Sequence, residues 1–358
     1  MTISDKAQIF NFSPGREEKN IFSHLDRFVV GQQRAKKKIA DILLRRKTGF
    51  RDLRRPLGII FLLGPTGVGK TELVKATADF LFGSLNGYTH ISCPNFAHGH
   101  EIAQLTGSPL GYIGSEQEPF LSQKNIDKHD LHRQTEEIKE IEKKTKDYKE
   151  LINSPDLPKK ERLIKEIKSL ISRVEELKDI LKSGRFYSLV LFDEFEKAHP
   201  KLHEILLEIL SDGALSLMNG KRVNFSNTII ALTGNIASKE IKEEASGSKI
   251  GIHYKSKPES AEVFSKKIWK MVLARLEKIV PAEILGRIGK ENVVVCNFLS
   301  QAEMAEVLEL QIKRLAERVE KSAKPFKFII REDVKEFLLN ETKDRINISL
   351  GARALLNV

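Results

Sequence analysis

The sequence predicts an α/β fold, a parallel central sheet followed by a small helical domain, and three observations carry that prediction. The apolar run Leu57-Gly58-Ile59-Ile60-Phe61-Leu62-Leu63 leads into Gly64-Pro65-Thr66-Gly67-Val68-Gly69-Lys70-Thr71 and then Glu72-Leu73-Val74-Lys75-Ala76, which reads strand, glycine loop, helix. Two later apolar runs, 186–192 and 227–233, end in Asp193-Glu194 and Gly234-Asn235. After residue 297, Met304, Val307, Leu308, Ile312 and Leu315 line one face of an amphipathic helix over 301–321, and Phe326-Lys327-Phe328-Ile329-Ile330 reads as a short strand. In an open parallel sheet, ligand groups gather at the carboxyl ends of strands, so the polar residues closing the three runs define one candidate site.

In chain order, residues 1–21 are polar and interrupted by Ser13-Pro14-Gly15, and they read as a flexible leader without an apolar signal core. Val29-Val30-Gly31-Gln32 precedes a helix whose Ala35, Ile39, Ile42 and Leu43 follow a 3.6-residue period. By itself the Val29-Val30 pair is equally a hydrophobic staple. In the glycine loop, Gly64, Gly67 and Gly69 let successive N–H groups converge on phosphate oxygens beside a helix N-terminus. Lys70 is placed to reach the β and γ phosphates, and Thr71 to reach Mg²⁺. A glycine turn without a ligand is the bland alternative.

A helix to about Gly83 and a strand over 88–92 follow, then Gly107-Ser108-Pro109-Leu110-Gly111-Tyr112-Ile113-Gly114, an exposed aromatic between glycines. As a bare turn it carries little meaning. The continuous apolar run 186–192 reads as a strand buried on both faces. Asp193 at its tip suits Mg²⁺ through a water shell, and Glu194 suits orienting and deprotonating an attacking water. Capping of the next helix is the structural alternative. Asn235 extends this set with a side-chain amide, completing a nucleotide-hydrolase pattern.

Composition sets outer limits. The 358 residues, 41% of them hydrophobic, suffice for one large and one small domain. The formal charge of +11 and the basic residues between Arg34 and Arg55 fit either solvated helices or an acidic partner such as nucleic acid. Cys93 and Cys296 make no framework or metal motif, the nine histidines are scattered, and no run of eighteen apolar residues occurs. A cytoplasmic chain without a membrane span is expected.

Taken together, these residues resemble the C-terminal ATPase ring of the class 1 Clp ATPases, within the AAA+ P-loop NTPases, from about Phe22 to Arg353. The parts that carry the likeness are Val29-Val30-Gly31-Gln32, the loop from Gly64 to Thr71, Gly111-Tyr112-Ile113-Gly114, and Leu191-Phe192-Asp193-Glu194-Phe195-Glu196-Lys197-Ala198-His199-Pro200. Asn235, Leu285-Gly286-Arg287-Ile288 and Gly351-Ala352-Arg353 complete it. The resemblance implies a homo-hexameric ring that hydrolyses ATP with Mg²⁺ and threads polypeptide through its channel, unfolding it. It implies an ATP site formed by Val29, Val30, Pro65, Thr66, Gly67, Val68, Gly69, Lys70, Thr71 and Glu72, with Thr71 and Asp193 at the metal. Glu194 becomes the catalytic carboxylate, Asn235 sensor 1, Arg287 an arginine finger offered to the neighbouring subunit, Arg353 sensor 2 and Tyr112 the pore residue. An AAA+ ATPase acting on nucleic acid through the basic region is the alternative class.

The chain departs from the family at Gly286, at Thr233-Gly234-Asn235 and at Cys93-Pro94-Asn95-Phe96. The resemblance also implies a small domain, 298–358, that is incomplete at its end. Ile250-Gly251-Ile252 resembles the loop by which family members dock on a Clp peptidase. Between Tyr112 and Asp193, where the family needs a short connection, Ile138, Thr145 and Ile152 alternate with Gln134, Ile141 and Tyr148 at heptad spacing. A second seam runs Leu163, Ile167, Leu170, Val174, Leu177, Leu181. Residues 123–183 are therefore expected to form an antiparallel coiled-coil hairpin with arms of roughly 35 Å. It would split the large domain into 22–122 and 184–297 and recruit substrate, an adaptor or a neighbouring subunit.

Overall fold

The computed structural model describes residues 16–48, 52–99, 101–109, 111–112, 115–151, 157–236, 261–297, 299–322, 324 and 326–345. Its strands are β1 (Gly58–Leu63), β2 (Thr89–Ser92), β3 (Ser188–Asp193), β4 (Ala214–Ser216), β5 (Arg222–Asn224), β6 (Thr228–Gly234) and β7 (Val293–Val295). The helices before the third strand are α1 (Arg16–Asp26), α2 (Gln33–Thr48), α3 (Lys70–Phe82), α4 (Ala103–Thr106), α5 (Gln123–Leu151) and α6 (Leu157–Ser183). After it come α7 (Pro200–Asp212), α8 (Ala261–Leu276), α9 (Ala282–Ile288), α10 (Gln301–Glu320) and α11 (Glu332–Arg345).

The central sheet has the order β2-β3-β6-β1-β7, and every neighbouring pair in it is parallel. Alternate residues of the middle strands enter different cores: Phe61, Leu63, Val190, Phe192, Ile230 and Leu232 face α7, α8 and α9. Ile60, Leu62, Leu189, Leu191, Ile229 and Ala231 face α1, α2 and α3. Both sheet faces are therefore covered, which is why these strands read as unbroken apolar runs rather than alternating ones. The short antiparallel pair β4–β5 lies apart from this sheet and gave no strong sequence signal.

Two expectations are corrected. The leader does not extend to residue 21, because α1 begins at Arg16; Ile21 and Leu25, four residues apart, are buried against α2 and α3. The polar composition of 1–21 concealed that short apolar stripe. Residues 326–330 are not a strand. Phe326 is 62% and Ile329 93% exposed, and among the described residues no neighbouring strand pairs with them; without a ladder an apolar alternation stays extended coil. Residues 1–15 and 250–252, Ile113, Gly114 and Arg353 lie outside the described residues.

Over 123–183 the chain forms α5 and α6, whose base ends meet: Asp130 Oδ2 accepts from Tyr187 N–H at 2.9 Å, just beyond the end of α6. The helices consequently run back along each other, with Ile138, Val174 and Leu177 buried and Ile141 and Leu181 packed beside them. Glu137–Arg173 (2.8 Å) and Glu142–Lys178 (3.1 Å) bridge the two from the flanks. The 29 residues of α5 span roughly 43 Å, longer than expected because its first turns belong to the body, where Ile126 enters the main core.

The root of this pair is polar and nearly dry. Asp130 also accepts from Gln134 Nε2 (2.9 Å) and Arg133 Nη2 (2.7 Å), while Asp127 accepts from Gln123 Nε2 (2.7 Å) and the Ser188 hydroxyl (3.2 Å). Burial pushes the Asp127 carboxyl up to about 6; the bonds from Gln123 and Ser188 offset part of that rise, and the Asp130 charge adds to it. A carboxyl raised on folding makes the ionised folded state less stable, with a penalty complete above about pH 6 and absent below the ordinary value near 4. Asp127→Asn, which keeps the shape and one acceptor, is therefore expected to stabilise the chain by on the order of 2 kcal/mol at neutral pH. Urea unfolding checks this: the gain disappears below about pH 4, and a gain independent of pH assigns the effect to packing instead.

Candidate nucleotide site

The carboxyl ends of β1, β6 and β3 lie side by side, since Leu63 is opposite Gly234 and Phe192 opposite Leu232. That register brings the glycine loop, Asn235 and the Asp193-Glu194 pair to one edge of the sheet. The loop curls through positive φ at Gly64 (145°), Gly67 (75°) and Gly69 (97°). A Cβ on Gly64 would meet the Cys296 carbonyl oxygen at 2.4 Å, so the loop packs against the β7 exit as only glycine permits.

Lys70 heads α3 and is 8% exposed. Its ammonium donates to Gly64 O (2.8 Å), Pro65 O (2.5 Å) and Asn235 Oδ1 (2.9 Å). Asn235 Nδ2 in turn donates to Glu194 Oε1 at 3.4 Å, and Asn235 N–H to Glu196 Oε1 at 3.0 Å. Lysine, amide and carboxylate thus form one connected chain across three strand ends. Glu194 sits in the left-handed region, φ 55° and ψ 50°, and its second oxygen lies 2.7 Å from Lys197 Nζ. This backbone conformation is costly for a residue with a Cβ, and it turns the carboxylate out of the strand line toward Asn235.

Thr233, opposite the end of β3, donates its hydroxyl hydrogen to Asp193 Oδ1 and accepts the Glu194 N–H at 3.1 Å. His90 Nε2 lies 3.4 Å from the other Asp193 oxygen. Burial acts to raise the Asp193 carboxyl, but the hydrogen bonds from His90 and Thr233 and the charge of Lys70 outweigh it and hold the group below the ordinary carboxylate range. It is an anion at neutral pH, as a divalent-cation partner must be. Thr233, Glu196 and His90 escaped the sequence reading as site residues, because only the β2-β3-β6 register makes them neighbours.

A cleft of about 770 Å³ opens over this edge. Its walls include Phe28, Val29, Val30, the loop from Thr66 to Thr71, Glu72, Asp193, Glu194 and Asn235, and, from the C-terminal pair, Leu310, Gln311, Arg314 and Arg318. Arg314 went unread in the sequence; it donates to Phe28 O (3.0 Å), stacks 5.4 Å over the Phe28 ring and lies 3.7 Å from Glu72. The donor set fits a nucleoside polyphosphate with Mg²⁺: an apolar wall, a glycine cradle, the Lys70 ammonium, and the Thr71 hydroxyl with the Asp193 carboxylate for a cation that keeps much of its water. Arg287 is exposed on α9 outside the cleft, and Tyr112 is 70% exposed on its glycine loop.

The model of the AAA domain (Cdc48 subfamily) matches residues 55–152 and 120–291. The chain belongs to this AAA family. It is similar to the ATP-dependent Clp protease ATP-binding subunit ClpC of Staphylococcus saprophyticus, 27% identical over 94% of this chain and 32% of ClpC. It is also similar to the chaperone protein ClpB of Helicobacter hepaticus, 34% identical over 83% of this chain and 26% of ClpB. Among solved structures, the Saccharomyces cerevisiae Hsp104:casein complex matches with a TM-score of 0.66 and 25% identity, over 96% of this chain and 46% of Hsp104. These relatives make it a Clp-type member of the AAA family. The chain spans about a third or less of these curated relatives and under half of Hsp104.

Thr233 gives a direct test of the site's electrostatics. Thr233→Val deletes the donor to Asp193 and the acceptor for Glu194 N–H, at a cost of about 1–3 kcal/mol at neutral pH. Because the lost bond favours the ionised Asp193, this part of the difference is full above the ordinary carboxylate value and fades as pH falls through the depressed one. Carboxyl NMR titration should show Asp193 titrating higher in the variant; an unmoved titration refutes the assigned cause.

Proposed function

We propose that this chain is a Clp-type ATPase that assembles as a homo-hexameric ring and uses ATP hydrolysis to pull polypeptide through an axial channel, unfolding it. The observation that carries the reading is the convergence of Lys70, Asp193, Glu194 and Asn235 on one cleft whose walls come from both the sheet edge and α10. The similarity to the ClpB chaperone, and to an Hsp104 solved with casein, supports polypeptide as the substrate class. Two free, buried cysteines suit a reducing, cytoplasmic setting.

In this reading Val29 and Val30 wall the base, and Pro65, Thr66, Gly67, Val68 and Gly69 present backbone N–H groups to the phosphates. Lys70 leaves the Gly64 and Pro65 carbonyls to meet the phosphate charge. Thr71 and Asp193 hold Mg²⁺, and Glu72 borders the site. The bound Mg·ATP supplies the phosphoryl group and the charge that its transfer develops. Glu194 takes a proton from the attacking water, and Asn235, bonded to both Glu194 and Lys70, orients that water. The exposed Arg287 serves the neighbouring subunit's site, and Arg353 is assigned to sensor 2 by resemblance alone. Tyr112, free to contact any extended chain through its ring, grips substrate without reading sequence.

The 123–183 hairpin, rooted beside β3, is proposed to recruit substrate or an adaptor. A second reading, coupling to a Clp peptidase through Ile250-Gly251-Ile252, is favoured by the similarity to ClpC.

Lys70→Ala is expected to weaken nucleotide binding, and Glu194→Gln to retain ATP while slowing hydrolysis by roughly 10²-fold or more. Unchanged turnover in the glutamine variant rejects the role of Glu194. In mixed rings, Arg287→Ala and Lys70→Ala subunits should restore activity that each lacks alone. Tyr112→Ala should leave ATPase intact and abolish unfolding of a tagged substrate; salt-sensitive nucleic-acid binding without protein-stimulated ATPase points to the other substrate class.

A further inference from the structure

Among the described residues only two that are not glycine adopt positive φ: Glu194 at 55° and Gln32 at 54°. The first belongs to the carboxylate pair. The second has no assigned part. A left-handed backbone is costly for a residue with a Cβ and persists where its surroundings overdetermine it, so the outlier itself calls for a function.

The Gln32 carboxamide makes three hydrogen bonds at once. Nε2 donates to Val68 O in the glycine loop (3.2 Å) and to Asn297 O (2.9 Å), while Oε1 accepts the Asn297 N–H (3.1 Å). Asn297 is where the chain leaves the sheet for α10, immediately after Cys296, whose N–H bonds Leu63 O at 2.7 Å. The backbone around Gln32 is held as firmly. Its carbonyl accepts Lys36 N–H at the head of α2, and the buried Lys36 ammonium donates to Val29 O (2.6 Å) and Asp26 (2.5 Å). A Cβ on neighbouring Gly31 would strike Glu303 Oε1 in the first turn of α10 at 2.4 Å. One side chain therefore joins the base wall, the phosphate loop and the hinge of the C-terminal helical pair.

We propose that Gln32 is a positioning residue that transmits nucleotide occupancy from the glycine loop to the hinge at Asn297, and so sets the angle of α10 over the cleft. The proposal rests on the nucleotide reading of that cleft. When Lys70 gives up the Gly64 and Pro65 carbonyls for phosphate, the loop bearing Val68 O readjusts. Gln32 must follow Val68 O or release it, and its paired bonds to Asn297 carry that displacement to the hinge. Arg314, on Phe28 O and near Glu72, returns the contact from α10, so the segment from Phe28 to Gln32 is gripped at both ends by the moving body.

The test uses the full chain with Glu204→Cys and Glu336→Cys carrying a fluorescent donor and acceptor. Both positions are exposed and outside the cleft, and native Cys93 and Cys296 are buried, with burial pushing the Cys296 thiol up to about 12. Energy transfer is read with and without a slowly hydrolysed ATP analogue, together with its Kd and the melting temperature without nucleotide. Gln32→Ala is expected to remove most of the analogue-induced change in transfer and to weaken the analogue by about tenfold. Gln32→Glu, which keeps the acceptor for Asn297 N–H and loses both donors, should fall between it and the parent. A Gln32→Ala protein that melts lower but keeps the full change in transfer overturns the proposal, because the residue is then merely structural. If Gln32→Ala fails to fold, Gln32→Glu decides: parental transfer and affinity overturn the proposal, and an intermediate response supports it. A parent chain that binds no analogue overturns the nucleotide reading and this proposal with it.

Discussion

The molecule depends on the parallel register of β3, β6 and β1. Each of these strands is buried on both faces, so a slip of one residue would exchange every side chain between the two cores and break both at once. Holding Phe192 against Leu232 and Leu63 against Gly234 has a chemical consequence, because the residues just past those positions form the site. Lys70, Asn235 and Glu194 become hydrogen-bonded neighbours only because three strands end at the same level. Packing energy, spread over many apolar side chains, thereby holds a polar array whose own bonds are few.

That array is tense as well as ordered. The ammonium of Lys70 rests on two backbone carbonyls and an amide, while Asp193 is kept ionised by His90, Thr233 and Lys70 against the cost of burial. Glu194, which lines the cleft, and Gln32, bonded to Val68 of the cleft's glycine loop, both hold left-handed backbones. Glycine at 234 belongs to the same economy of space: a Cβ there would come within 2.8 Å of Leu63 Cδ2 and 3.0 Å of Glu196 Oε2, the carboxylate that fixes Asn235 N–H. The departure from the usual tripeptide at this position thus accompanies close packing between β6, β1 and Glu196.

The helices α5 and α6 meet the body through a different physics. Their root sets a buried polar cluster, Asp127 and Asp130 with Gln123, Gln134 and Ser188, beside the apolar contact of Ile126 with the main core. Gln123 also exchanges bonds with Asn224 on β5, in both directions. Directional bonds of this kind fix the angle at which the pair leaves the sheet, where apolar contacts alone would allow several. The strand that begins at this root, β3, is the one that ends at Asp193.

Sequence by itself determined the periodic and the locally coded parts. Apolar runs of strand length, glycines at three loop positions and two heptad seams each express a local rule, so the α/β class, the glycine loop and the helices over 123–183 were legible before any coordinates. The start of α1 and the false strand at 326–330 were misread for one reason: short polar or alternating stretches take their state from what packs against them. Tertiary structure alone decided which distant residues share the cleft. Thr233 and Glu196 lie inside quoted motifs without a role of their own, His90 and Arg314 lie in none, and the φ of Gln32 and Glu194 is invisible in a string of letters. These are properties of register and approach between segments as much as 286 residues apart, as Arg314 is from Phe28. The energy that sets them lies in long-range packing and hydrogen bonding, which no window of neighbouring residues contains.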